Sequence, residues 1–152
     1  MQIKAYAKIN LGLDVLRRRE DGYHEVRMIM QNIGLYDELE LSKSTSPGIR
    51  ISTNKDNIPV NEDNLIYKSA KLLFDEFNIE DGLDIKLTKN IPVAAGLAGG
   101  STDAAATLIG VNSIWNLGLS KQELMERGVK SVQMFRIVFW EELLLQKVSE
   151  RY

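Results

Sequence analysis

A chain of 152 residues, 44% hydrophobic and 26% charged, has enough apolar material to bury one core. Its net charge of −2 supplies no basic surface for a nucleic-acid backbone, the absence of cysteine excludes disulfide and thiol chemistry, and a single histidine leaves a zinc site without ligands. No apolar run approaches membrane-span length and the segment from Met1 to Ala5 lacks a signal-peptide core, so the expected compartment is the cytoplasm and no membrane partner is expected.

Residues 2–17 alternate, with Ile3, Tyr6, Ile9, Leu11, Leu13 and Val15, and predict a strand bent near Gly12. Arg17 to Gly22 is a charged turn, with Asp21-Gly22 as a hairpin signal and the three arginines read as solvated. Residues 24–34 predict a second strand, and 37–42 and 49–53 two more, joined by turn-rich stretches. Asn61 or Asp63 is placed to cap a helix whose core stripe is Ile66, Ala70, Leu73 and Phe77. A strand over 83–87 follows, then a glycine turn, a helix over 100–116 ended by Gly118, and a short helix capped by Ser120 and closed by Gly128. Strands, helix, strand, helix in that order predict an α+β domain, a mixed or antiparallel sheet with helices on one side.

The stretch from Ile91 to Asp103 carries the most information. A glycine-rich turn between a strand and a helix gathers backbone N–H groups around one point, and the helix dipole there favours an anion. It lacks the Gly-Lys-Ser/Thr ending of a Walker loop and the full dinucleotide spacing, so by itself it is equally a turn and a helix cap.

Two further motifs accompany it. The first strand contains A-K-I-N-L (Ala7 to Leu11), and D-G-Y-H (Asp21 to His24) follows the charged turn. Together with P-V-A-A-G-L-A-G-G-S-T (Pro92 to Thr102), they resemble the 4-diphosphocytidyl-2-C-methyl-D-erythritol kinase family, within the superfamily of galactokinase, homoserine kinase and mevalonate kinase. The resemblance runs from about residue 2 to about residue 130. It implies residues 1–130 as an ATP-binding N-terminal domain with a left-handed βαβ crossover, and an active-site cleft shared with a C-terminal domain that this chain does not contain. It implies ATP-dependent phosphorylation of the 2-hydroxyl of a cytidine-diphosphate-linked methylerythritol in the non-mevalonate isoprenoid route, with Mg²⁺ beside ATP. No metal ligand is assigned, and the oligomeric state is left open.

The resemblance also assigns residues. Pro92, Val93, Ala94, Ala95, Gly96, Leu97, Ala98, Gly99, Gly100, Ser101 and Thr102 would cradle the ATP phosphates, the last two adding hydroxyls that can also cap the helix. Lys8 matches the family's active-site lysine, a cation that lowers the acceptor's pKa and neutralises charge in the transition state. Asn10, on the same strand face, would bind substrate or fix that lysine. Tyr23 and His24 match the cytidine-binding pair, one stacking on the pyrimidine and one bonding its edge. Asp103 is read as a helix cap or a holder of a loop amide, without a catalytic role.

After Lys130 the resemblance stops. The family continues with I-G-A-D-V-P-Y/F-C and a glycine-rich segment, whose aspartate is its second catalytic residue. Here the chain reads S-V-Q-M-F-R-I-V-F-W-E-E-L from Ser131. Back-translated with codons chosen where the code is degenerate, and with one adenine restored at the lysine codon, this run spells K-I-G-A-D-V-P-Y-C-V-L-G-G-T. Residues 131–152 are therefore expected to be a frameshift product, and the chain to be impaired as a kinase. A native apolar helix is the competing account of the tail. Two other functions compete with the family reading: another small-molecule kinase of the superfamily, and a non-catalytic nucleotide- or RNA-binding domain.

Overall fold

The computed structural model describes residues 1–18, 20 and 24–131. Alternation over Gln2–Arg18 builds β1, which pairs antiparallel with β2, His24–Ser44. The sequence predicts a break in β2 at residues 35–36, but one continuous strand runs through. Gly34 has no left-handed φ, and without turn geometry a lone glycine leaves the ladder intact. β1 bends as expected: its register shifts between Asn10 and Gly12, and also between Tyr6 and Lys8. β3 (Gly48–Thr53) and β4 (Gly82–Thr88) complete a sheet ordered β1-β2-β4-β3. β4 is antiparallel to β2 and parallel to β3, so α1, Leu65–Glu76, is the crossover of a βαβ unit.

The helices α1 and α2 (Gly99–Ile114) lie against one face of the sheet, and α3 (Lys121–Ser131) packs on α1 and α2. That face presents Ile3, Ala5, Leu39, Leu41, Leu83, Ile85 and Leu87, all buried. The helices answer with Ile66, Ala70, Leu73 and Phe74 from α1 and the run Ala104-Ala105-Ala106 with Leu108 and Val111 from α2. Small residues let α2 come close: a Cβ on Gly110 would sit 2.7 Å from a Leu41 methyl. The opposite face is polar, with Lys86 on Glu40 at 2.8 Å and Arg50 on Asp84 at 2.6 Å. Beyond the core the β1–β2 ribbon continues with Leu11, Val15 and Ile29 exposed.

The helix ends differ in detail from the sequence reading. The cap of α1 is Asn64 rather than Asn61 or Asp63, because its extended backbone lets Oδ1 accept from Ile66 N at 2.8 Å. Asn61 instead accepts from Asp63 N at 3.1 Å, one turn upstream. α2 closes at left-handed Asn116, two residues before Gly118, with Leu117 N donating to Asn112 O at 3.0 Å. Ser120 does cap α3, in a reciprocal box with Glu123: Ser120 N donates to Glu123 Oε2 at 2.8 Å, and Glu123 N to Ser120 Oγ at 3.3 Å. Gly128 does not close α3, which runs on to Ser131; without a left-handed φ a glycine weakens a helix but does not end it.

Candidate active site

The glycine loop lies between β4 and α2 and walls a cavity of about 390 Å³, a volume suited to a small ligand. Ala94, Gly96 and Ala98 take left-handed φ values of 59°, 73° and 62°. Alternate left-handed residues turn successive N–H groups into a concavity, the geometry of an anion nest. Two of the three are alanines, whose Cβ makes that conformation costly, and strain of this kind collects at ligand sites.

α2 begins at Gly99 after Ala98, and no side chain caps it. The expected caps are occupied elsewhere. Thr102 is fully buried and donates its hydroxyl to Gly99 O at 2.9 Å. Asp103 is buried and bonds Lys89. Ser101 lines the cavity. The first amides of α2 therefore have no side-chain cap, which leaves them for an anion from outside. Every residue from Pro92 to Ser101 lines the cavity, whereas Thr102 is turned inward. These residues fit a polyphosphate.

Lys8 stands at the rim. Its N–H donates to Leu97 O at 3.1 Å, and its Nζ donates to Gly96 O at 3.1 Å and to Asn10 Oδ1 at 3.3 Å. The bulge after Tyr6 and the two-residue alternation together put Lys8 and Asn10 on the loop side of β1. His24 begins β2, with its backbone opposite Arg18; Tyr23 lies outside the described residues. Among the described residues no cluster of three or more histidine, cysteine or acidic side chains could hold a metal ion.

Beneath the loop is a charged cluster that the sequence reading missed. Lys89 Nζ, at the end of β4, donates to Asp37 Oδ2 at 2.5 Å and to Asp103 Oδ2 at 2.7 Å, and all three side chains are buried. Asp37 Oδ1 accepts from Asn90 N at 2.6 Å and Ile91 N at 2.8 Å, which fixes the entry to the loop. One lysine thus ties β2, the start of the loop and the first turns of α2 together. Burial pulls the Lys89 ammonium down, but Asp103 and Asp37 outweigh it and hold it above its ordinary value. Burial pushes the Asp103 carboxyl up to about 8, with Lys89 opposing and Asp37 adding to the rise. As a carboxylate, Asp103 has no donor for Oδ1 among the described residues; as an acid it gains a hydrogen bond with Asp37. The sequence signal for this cluster was slight: a lysine closing a strand, and an aspartate following two hydroxyl residues.

Comparison with known proteins gives this arrangement a family. The description "GHMP kinases N terminal domain" matches residues 64–135. The 4-diphosphocytidyl-2-C-methyl-D-erythritol kinase of Lachnoclostridium phytofermentans is 54% identical over 130 residues, 86% of this chain and 45% of that protein. The kinase of the same name from Caldicellulosiruptor bescii is 55% identical over 128 residues, 84% of this chain and 45% of its own length. A crystal structure of 4-(cytidine 5'-diphospho)-2C-methyl-D-erythritol kinase superposes with a TM-score of 0.75 at 34% identity, covering 87% of this chain and 46% of that one. Homoserine kinase from Cytophaga hutchinsonii shares the fold alone, at 19% identity and a TM-score of 0.67, covering 86% of this chain and 40% of that one. The chain belongs to the GHMP kinases and carries, within them, the N-terminal domain of the 4-diphosphocytidyl-2-C-methyl-D-erythritol kinase family. It spans a little under half the length of the curated relatives it matches, 45% of the first. Among the described residues no helix is long and apolar enough to cross a membrane.

Proposed function

We propose that this domain holds ATP for transfer of its terminal phosphoryl group to the 2-hydroxyl of 4-diphosphocytidyl-2-C-methyl-D-erythritol, a step toward isoprenoid precursors. The observation that carries the reading is Lys8 Nζ, 3.1 Å from Gly96 O beside the nest of left-handed loop residues. A cation there sits between the loop that would hold the donor and the open side from which an acceptor would enter. In the transfer the acceptor oxygen bonds to phosphorus, the bond to the bridging oxygen breaks, and ADP leaves. Mg²⁺, arriving with the nucleotide, supplies neutralisation of phosphate charge. The amides of the nest and of the α2 terminus position the donor, and Lys8 stabilises the acceptor oxygen as its proton passes to the family's aspartate, which the frame-restored form supplies. Asn10 holds the Lys8 ammonium in place. Tyr23 and His24 are assigned to the cytidine by their place in the family motif.

We propose further that residues 131–152 are read out of the family's frame. Several steps of the restored reading are nearly forced by the code: Met134-Phe135 yields the valine after the aspartate, and Trp140-Glu141 yields a glycine. Resequencing the gene across the Lys130 codon tests this. An additional adenine is the expected finding and an unchanged run from the source DNA means a genuine truncation of the gene; codons for residues 130–143 that do not spell the family's motif in the shifted frame remove the proposal. Function is tested by assaying the 152-residue chain and its frame-restored form with ATP, Mg²⁺ and the cytidine substrate. Turnover is expected only from the restored form, since the family's aspartate is missing from the other. Turnover by the 152-residue chain at a rate ordinary for kinases defeats the impairment, and an inactive restored form defeats the assigned reaction.

A further inference from the structure

We propose that Asp103 sets the anion affinity of the glycine loop: a polyphosphate is accepted when the Asp37–Lys89–Asp103 cluster is neutral overall and opposed when it carries one net negative charge. This rests on the reading of the loop as a phosphate cradle. The ammonium of Lys89 is shared by two buried carboxylates, so the fully ionised cluster keeps one uncompensated negative charge. Both Lys89 and Asp103 line the cavity that the loop encloses, so that charge acts on whatever anion the loop amides hold. Burial leaves it weakly screened. Asp103 is the member able to shed it. Both oxygens of Asp37 already accept, from Asn90 N, Ile91 N and Lys89, whereas Asp103 Oδ1 lacks a donor among the described residues. The other charged groups on the cavity wall are Lys8 from β1 and Asp63 from the turn before α1. Charges elsewhere face away: Arg50 with Asp84 and Lys86 with Glu40 on the polar side of the sheet, and Arg127 with Glu76 between α3 and α1.

Binding of an anion then favours the protonated cluster, so binding takes up protons. With the Asp103 carboxyl titrating near 8, the effect falls in the alkaline range and not the acidic one. The test is isothermal titration of the 152-residue chain and its Asp103→Asn variant with ADP, without divalent metal, from pH 7 to pH 9. Over this range the terminal phosphate of ADP is already ionised, because the second phosphate pKa is about 6. The expected result is a Kd that weakens about tenfold for the parent chain, the scale of one unit charge acting through a partly shielded interior. The variant should be flat, and tighter than the parent at pH 9. Repeating the parent titration at pH 8 in two buffers of different ionisation enthalpy counts the protons directly, so the answer does not depend on the variant folding. Binding with a flat parent profile and no proton uptake overturns the inference alone, as does a variant that keeps the parent's slope. No ADP binding by either protein overturns the nucleotide reading as well.

Discussion

Gly99 and Lys89 are in such close apposition that a Cβ on Gly99 would lie 2.8 Å from Lys89 Nζ and 2.9 Å from Ile91 Cγ2. A free lysine would swing away, but this one is held by two carboxylates, and Ile91 is buried. Gly99→Ala is therefore expected to destabilise the domain by about 1–3 kcal/mol, the range of core overpacking. Urea unfolding measures it, and ADP binding should weaken with it because the loop entry moves. A variant as stable as the parent would show that the lysine is not clamped.

Asp103 makes stability depend on pH in an unusual direction. Its carboxyl titrates near 8 in the folded chain against a reference of 3.8, so the folded state holds a proton that the unfolded state lacks between those values. This contribution is complete below pH 4 and is lost as pH rises toward 8, with a limiting slope of about 1.4 kcal/mol per pH unit. Asp103→Asn removes the dependence. The stability of the variant relative to the parent should rise from pH 5 to pH 8 and level off above. Paired urea denaturations at pH 5, 7 and 9 check it; a constant difference would falsify the assignment.

What could be read from the sequence follows the range of the interaction. Strand alternation in β1, the apolar stripe of α1 and the cap at Ser120 are local patterns, and they placed their elements nearly where they lie. The glycine loop was equally visible, because its turn chemistry is written in adjacent residues. The Asp37–Lys89–Asp103 cluster was not. Asp37 stands 52 positions from the lysine it pairs with, and in the sequence it looks like an ordinary acid at the start of a strand. Burying it requires the β2–β4 pairing to exist first, and no periodicity reveals a partner at that separation. Asp103 was misread for the opposite reason: its position near a helix start suggested a cap, but the pull of Lys89 draws it inward.

The left-handed alanines should report stored strain. Ala98 precedes α2 at φ 62°, a region where an L side chain costs about 1–2 kcal/mol. Glycine adopts it freely but loses more entropy on folding, so Ala98→Gly is expected to stabilise by a net amount of about 0.5–1 kcal/mol. Ala98→Val should destabilise, since a β-branched residue tolerates positive φ least. Thermal melts of the three proteins order them. A glycine variant less stable than the parent would mean that Ala98 gains more from its packing than it loses in strain.

Lys8 supplies the sharpest separation of binding from chemistry. Its Nζ touches a carbonyl of the loop, Gly96 O at 3.1 Å, and not a group whose loss would unfold the sheet. Lys8→Met keeps the aliphatic stem and removes the charge. In the frame-restored protein kcat should fall by about 10²–10³, as when one stabilising donor is lost from a transition state, while the ADP affinity changes by only a few fold. Lys8→Arg keeps the charge but spreads it over a planar fork that cannot reproduce the same point contact, so its rate should be intermediate. Steady-state kinetics beside ADP titration distinguish the two effects. If ADP affinity fell in step with kcat, Lys8 would be a phosphate-binding residue; if neither moved, it would have no part in the reaction.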